Sequence, residues 1–386
     1  MDTQHAVEAF FKKGKLLTPE ALRYLENKDL DTFLSDNHET IVDIEDLLAT
    51  EDKIRILKNI TSKKSEVTTS DIIKFYNSKY EKMKSIILTR MPKNFVSINR
   101  LDAGQEAFII GIVRDIKDQN GKKNVELEDS TGAITAIFEA SETADLELDD
   151  VVAVQGIAEA NSTEAARNAA PAGKAMTGQK ILYPDMPLRQ PASGKGKACF
   201  ISCLHLDEAP KKDFETFLKW FEGQDIRYLF VSGGTGDLHL FDSLVDSYCK
   251  NKKVFVAAGR EGSEAPHIPD DFKSKNIVSL SNPSLVEMNG VKILLAHKFE
   301  TRMLRKRHME NIKPVLTEDL MALEELPDIV CCGSSHQAST SNYKSTTITN
   351  AGSLLTDFRP VIIDLATRDV VHVSMDIMQG YSEPTK

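Results

Sequence analysis

Between residues 5 and 90 the apolar positions recur at roughly helical spacing. HAVEAFFKKGKLL sets Val7, Phe10, Phe11 and Leu16 near one face. Gly14 predicts a stop, and Thr18-Pro19-Glu20 predicts a new start, with Thr as N-cap and Pro at the first helical position. Leu22, Leu25 and Leu30 carry the period on, and IVDIEDLLA (41–49) extends it. A polar stretch, KNITSKKSEVTTS (58–70), reads as a linker, followed by a helix over DIIKFYNSKYEKMKSIILTRM that closes before Pro92. The expectation is a helical N-terminal domain over 1–60, then a linker and connecting helix over 61–93. From residue 95 the period changes. AFIIGIVRDI (107–116), NVELEDSTGAITAIFEA (124–140) and DDVVAVQGIAEA (149–160) are strand-like, with turns at Gln119-Asn120-Gly121 and Asp129-Ser130-Thr131-Gly132. Short strands with hairpin turns suit a small barrel of the OB type over 94–192. The Ala/Gly-rich piece at 161–178 reads as a long loop or insertion, and YPDMPLRQPASGKGK (183–197) marks a boundary. Over 196–386 strands and helices alternate, as in an α/β sandwich. The fold class is therefore α+β and multidomain.

Composition narrows the setting. The chain has 386 residues, enough for two or three domains. No apolar run reaches membrane-spanning length, and the first residues lack the pattern of a signal peptide. Five cysteines without regular spacing argue against a disulfide framework. A reduced, cytoplasmic setting is expected. The net charge of −10 weighs against a protein that binds DNA mainly through its own surface, because phosphate neutralisation needs a basic excess.

The candidate chemistry sits where apolar runs end. CFISCLH (199–205), YLFVSGGTGD (228–237), VFVAAGREG (254–262), ILLAHK (293–298) and DIVCCGSSH (328–336) each close in a small-residue or histidine-bearing corner. This layout resembles calcineurin-like metallophosphoesterases, whose strand ends read D-x-H, G-D, G-N-H-D, H and G-H-x-H. In those enzymes the corners hold two cations about 3.5–4 Å apart that clamp the attacking and leaving oxygens.

Further motifs extend the likeness along the chain: EAFFKKGKLLTPEAL, FYNSKYEKMKSII, LEDSTGAITAI, ILYPDMPL, RKRHMENI, LPDIVCCGSSHQ and TITNAGSLL. In this order they resemble the small subunit of archaeal family D DNA polymerase and, more distantly, the non-catalytic B-subunits of eukaryotic replicative polymerases. The resemblance implies a heterodimer with a large catalytic subunit and DNA contact chiefly through that complex. It also implies association with the nucleoid. Nuclease-active members are taken to act as 3′–5′ proofreading exonucleases. Carried across position by position, the ligand set keeps His205, His297 and His336. The first aspartate is Cys203, the metal-bridging aspartate is Gly234 and the asparagine is Arg260. The third motif's histidine and aspartate are Glu261 and Gly262, and the first histidine of the last motif is Ser334.

These exchanges remove the chemistry as well as the pattern. Glycine can neither bridge two cations nor offset their charge. A guanidinium at Arg260 puts a permanent positive charge where a metal should sit. Hard divalent ions prefer oxygen donors, and those are the ones exchanged. The expectation is a non-catalytic scaffold subunit without a cofactor, its histidines hydrogen-bonded in a polar pocket. A lesser reading keeps a tetrahedral zinc site from Cys203, His205, His297 and His336. Two rivals stand beside the scaffold: an active metal-dependent 3′–5′ exonuclease with atypical ligands, and a single-stranded DNA-binding barrel protein.

Two other segments carry partner readings. Gln4, Val7, Phe10 and Phe11 fit the spacing of sliding-clamp peptides, although an amphipathic helix is the commoner meaning of such a stripe. Arg302, Arg305, Lys306 and Arg307 form the densest basic run, read either as a DNA- or partner-contacting segment or as a solvated helix face. Ser232-Gly233-Gly234-Thr235-Gly236 lacks the Gly-Lys-Ser/Thr ending of a phosphate loop, and a degraded phosphoesterase corner accounts for it better.

Overall fold

The computed structural model describes residues 3–26, 30–34, 41–42, 52–90, 94–119, 121–159, 174–257, 259, 266–312, 316–333 and 335–381. The chain divides into two compact units. One comprises Met1–Arg55 with Glu287–Gly290, and the other Ile56–Val286 with Val291–Lys386.

In the first unit, α1 (Thr3–Lys12) is followed by β1 (Leu16–Leu17), α2 (Pro19–Tyr24), α3 (Asp31–Leu34) and β2 (Ile41–Val42). Thr18 caps α2 as expected, its Oγ1 accepting from Ala21 N at 3.2 Å, with Pro19 in the first turn. Ala6, Phe10, Ala21, Leu25, Phe33 and Val42 form the core. Helices do not account for the whole unit. Ile41 and Val42, read as helical, pair in parallel with Leu16 and Leu17. The rest of the IVDIEDLLA segment, 43–49, lies outside the described residues.

A strand closes the 1–60 stretch expected to be helical, and the helix expected within 61–93 follows it. β3 (Ile54–Lys58) takes the edge of a large sheet. α4 (Thr69–Leu88) opens with a capping box in which Thr68 and Asp71 satisfy each other's backbone N–H groups. Its Tyr80, Met83 and Ile87 pack on Ile110, Ile112, Val151 and Ala153 of the barrel. Its Phe75 packs with Ile60, Met186, Leu294 and Val330 in the core of the C-terminal domain. The connecting helix is thus a buried spine.

The barrel is closed by five strands in the order β4-β5-β6-β8-β7, where β4 is Glu106–Gln119, β5 Lys122–Asp129, β6 Gly132–Glu139, β7 Val151–Ala158 and β8 Ala175–Leu182. β6 and β8 pair in parallel and the other seams are antiparallel. The Asp129–Gly132 turn separates β5 from β6, as the sequence predicts. β8 went unrecognised because AMTGQKIL falls partly in the presumed insertion and carries a glycine at mid-strand. That glycine is required: a Cβ at Gly178 would lie 2.3 Å from the Phe138 ring. Residues 160–173 of the insertion lie outside the described residues.

The C-terminal domain is a sandwich of two six-stranded sheets. The first runs β12-β11-β10-β9-β18-β19, from β9 (Lys197–Ile201), β10 (Tyr228–Ser232), β11 (Lys253–Ala257), β12 (Ile277–Leu280), β18 (Val361–Asp364) and β19 (Val370–His372). The second runs β16-β17-β15-β14-β13-β3, adding β13 (Ser284–Met288), β14 (Val291–Ala296), β15 (Ile329–Cys332), β16 (Ala338–Tyr343) and β17 (Thr346–Ala351). β9 to β12 are parallel, as are β14, β15 and β17. Strands of such sheets are covered on both faces, which explains why they read as continuous apolar runs. β9 and β10 face β14, β15 and β17 across the core. Helices α5 (Lys211–Glu222) and α6 (Leu238–Tyr248) pack together, with Phe214 stacked on Phe241 at 5.7 Å between ring centroids. Among the described residues no helix is long and apolar enough to cross a membrane.

The candidate site at the converging strand ends

The five runs singled out in the sequence are β9, β10, β11, β14 and β15. Because β9 and β10 are parallel and in register, their corners come level. Cys203 N donates to Gly233 O at 3.3 Å, His205 N to Gly234 O at 2.9 Å and Leu206 N to Thr235 O at 3.0 Å. On the facing sheet Ala296 pairs with Cys332, so the next residues meet and Gly333 N donates to His297 O at 2.9 Å. The sandwich then closes one rim on the other, and Cys203 Sγ donates to Gly333 O.

Cys203, His205 and His336 meet there. Their ligand-capable atoms all lie within 4.8 Å of one another, and the two imidazoles stand edge to face at 5.2 Å between centroids. His297 is not in this group. Its Nδ1 lies 3.2 Å from Ser232 O, and its backbone N–H donates to Asn282 Oδ1 at 3.1 Å. Arg260, Glu261, Gly262 and Ser334 lie outside the described residues.

Gly234 is more than an exchanged side chain. Its φ is +64°, and a Cβ added there would lie 3.0 Å from Cys203 Cα and 3.2 Å from His297 Cε1. A side chain here would press on the Cys203 backbone and the His297 ring, and would do so at a φ that side chains rarely adopt. The nearby Asp237 is committed elsewhere: it caps α6 by accepting from His239 N at 2.9 Å and Leu240 N at 3.0 Å. Burial pushes the thiol of Cys331 well up, and that of Cys332 to about 12, so both stay neutral core groups. The sequence reading missed the supports of the corner. Ser353 Oγ donates to Cys203 O at 3.1 Å, and Asn350 Nδ2 to Ser335 O at 2.7 Å. The only signal for them was the TITNAGSLL resemblance.

The basic run is paired with acidic and carbonyl groups of the same chain. It forms α7 (Thr301–Lys306) and its cap, packed against the barrel. Arg302 pairs with Glu147 and Glu300, and Arg305 with Asp145 while stacking over the Tyr183 ring at 4.5 Å. Lys306, buried, lies 2.8 Å from both Glu147 and Asp150. Arg307, also buried, donates to Leu323 O at 2.7 Å and Glu324 O at 2.8 Å, and burial beside Arg90 and Arg189 lowers it to about 10. Lys306 and Arg307 are therefore internal fasteners, because a buried cation must be paired where it lies. Of the clamp-type stripe, Phe10 is fully buried in its own unit's core while Phe11 is 68% exposed.

A closed five-strand barrel joined to a two-sheet α/β domain, with a thiol and two imidazoles meeting at the strand ends, defines the class. No protein-family model matches the chain. The DNA polymerase II small subunit of Archaeoglobus fulgidus is 25% identical over 88% of this chain and 81% of its own length. That of Methanothermobacter thermautotrophicus is 26% identical over 73% and 72%, and that of Thermoplasma acidophilum 23% over 97% and 94%. Over most of its length the chain is thus similar to archaeal DNA polymerase II small subunits, the family D small subunits that its motifs resemble. Among solved structures, a predicted phosphoesterase of Streptococcus pneumoniae matches 48% of this chain and 92% of itself, at 18% identity and a TM-score of 0.30. Asparaginyl-tRNA synthetase of Pyrococcus horikoshii matches 24% and 23%, at 20% identity and a TM-score of 0.20. At such TM-scores neither likeness carries an argument.

Proposed function

We propose that the chain is a non-catalytic accessory subunit of a replicative DNA polymerase, which binds and stabilises a large catalytic subunit. On this reading its calcineurin-like phosphoesterase activity has lapsed. The relatives named above support the accessory role. The observation that supports the loss of hydrolysis is the Gly234 corner, which offers no bridging carboxylate and whose left-handed φ and close neighbours disfavour one. The spine helix α4 and the charged seam at α7 join barrel and sandwich into one contact unit, as a docking platform requires. The acidic total fits DNA engaged through the complex.

The test is to purify the chain alone and with the large polymerase subunit from the same source, then assay complex formation and 3′-end hydrolysis. A stable complex is expected, with no hydrolysis by the lone chain in Mn²⁺ or Mg²⁺. Metal-dependent hydrolysis by the lone chain, abolished in His336→Ala, would overturn the loss of activity. Failure to bind the large subunit would overturn the accessory role.

A further inference from the structure

The geometry points to a single soft-metal site: we infer that Cys203, His205 and His336 bind one zinc-class divalent cation. The site pins the β9 corner to the loop after β15. It does not rest on the polymerase reading, since the three donors belong to this chain alone.

Three observations converge on it. First, one thiol and two imidazoles from two separate corners bring their donor atoms within 4.8 Å of one another. A tetrahedral zinc sphere, with bonds of about 2.0–2.3 Å, needs separations of roughly 3.5 Å, which small side-chain rotations supply. Second, the donor set is selective. Thiolate and imidazole favour zinc-like ions, and among the described residues the cluster contains no carboxylate that would favour magnesium or calcium. Third, the backbone is held in an unfavourable form to present these groups. Cys203 and His205 both lie in the left-handed region, at φ of 51° and 46°. Two such non-glycine residues around Leu204 are strained, and strain of this kind gathers at ligand sites. The corner is over-determined by bonds from its neighbours: Leu354 N reaches Cys203 O at 3.0 Å, and Ala209 N reaches His205 O at 2.7 Å.

His297, the fourth member of the set read from the sequence, belongs to the framework, with its ring at the Ser232 carbonyl. Binding exchanges the Cys203 S–H, which now donates to Gly333 O, for a metal–sulfur bond, and its proton passes to solvent. Three protein donors leave the fourth position to water or to a group from outside the cluster.

The full chain, stripped with a chelator, should be titrated with Co²⁺ and then with Zn²⁺. Expected are one equivalent bound, a sulfur-to-cobalt charge-transfer band, the strong visible bands of four-coordinate cobalt, and displacement by zinc. Cys203→Ser should lose the charge-transfer band. His336→Ala, at the half-buried member, should weaken binding roughly tenfold or more. His297→Ala, confirmed as folded by its melting transition, should keep the band. No spectral change on titration, or a sulfur band that survives in Cys203→Ser, would overturn the site. Loss of the band in folded His297→Ala would overturn the three-ligand assignment.

Discussion

The α7 seam and the vacated corner both drew notice as dense chemistry in the sequence, yet they use their side chains in opposite ways. At the seam every cation of the run has found an acidic or carbonyl partner within the chain, and the result is mechanical. At the corner the carboxylates are gone, and a thiol and two imidazoles converge on one point instead. Density of charge along a sequence therefore says little about what remains available to a ligand. Convergence from separate elements says more.

The sharpest way to break this contrast is to unpair the seam. Lys306→Met leaves Asp150 buried without its cation, and the loss should be about 3 kcal/mol, read as a lowered midpoint in chemical denaturation. A seam that tolerated this change would not be a fastener. Gly234→Ala tests the corner by sterics alone. A Cβ at φ +64°, 3.0 Å from Cys203 Cα, should cost roughly 1–3 kcal/mol and weaken cobalt binding by disturbing that backbone.

Acid should separate the two regions further. Burial raises the Glu147 carboxyl, but hydrogen bonds from Lys306 and Arg302 outweigh it and leave the group below its ordinary 4.5. A depressed folded value means the unfolded chain holds more protons in that window. The stabilisation is thus present above the ordinary carboxylate range and fades as pH falls through the folded value. Melting temperatures should fall in acid for the native chain, fall less steeply for Lys306→Met, and follow the native slope for Cys203→Ser. The smallest effect belongs to Arg302→Ala. Its pair with Glu147 is half exposed, so its loss should cost at most about 1 kcal/mol and shrink further in high salt.

Much of the fold was legible along the chain. The five apolar runs became β9, β10, β11, β14 and β15, and Thr18 capped α2, because burial on both faces and capping both leave local marks. Ile41-Val42 was misread because two residues carry too little period to tell strand from helix. β8 was misread because Gly178 answers to the Phe138 ring, a neighbour distant in sequence. The candidate site divides in the same way. Cys203, His205 and His336 were identifiable from strand ends, whereas the departure of His297 from their company was not.

The sequence by itself determined the five strand runs that end at the site, the residue types at their corners and the net acidity, since each is local or additive. Only the tertiary structure decided that Phe10 is core, that Lys306 fastens the barrel while Arg307 holds the Leu323–Glu324 carbonyls, and that a side chain at Gly234 would crowd Cys203 and His297. Those facts depend on which surfaces meet across long sequence separations, where packing and the cost of burying an unpaired charge outweigh any local signal.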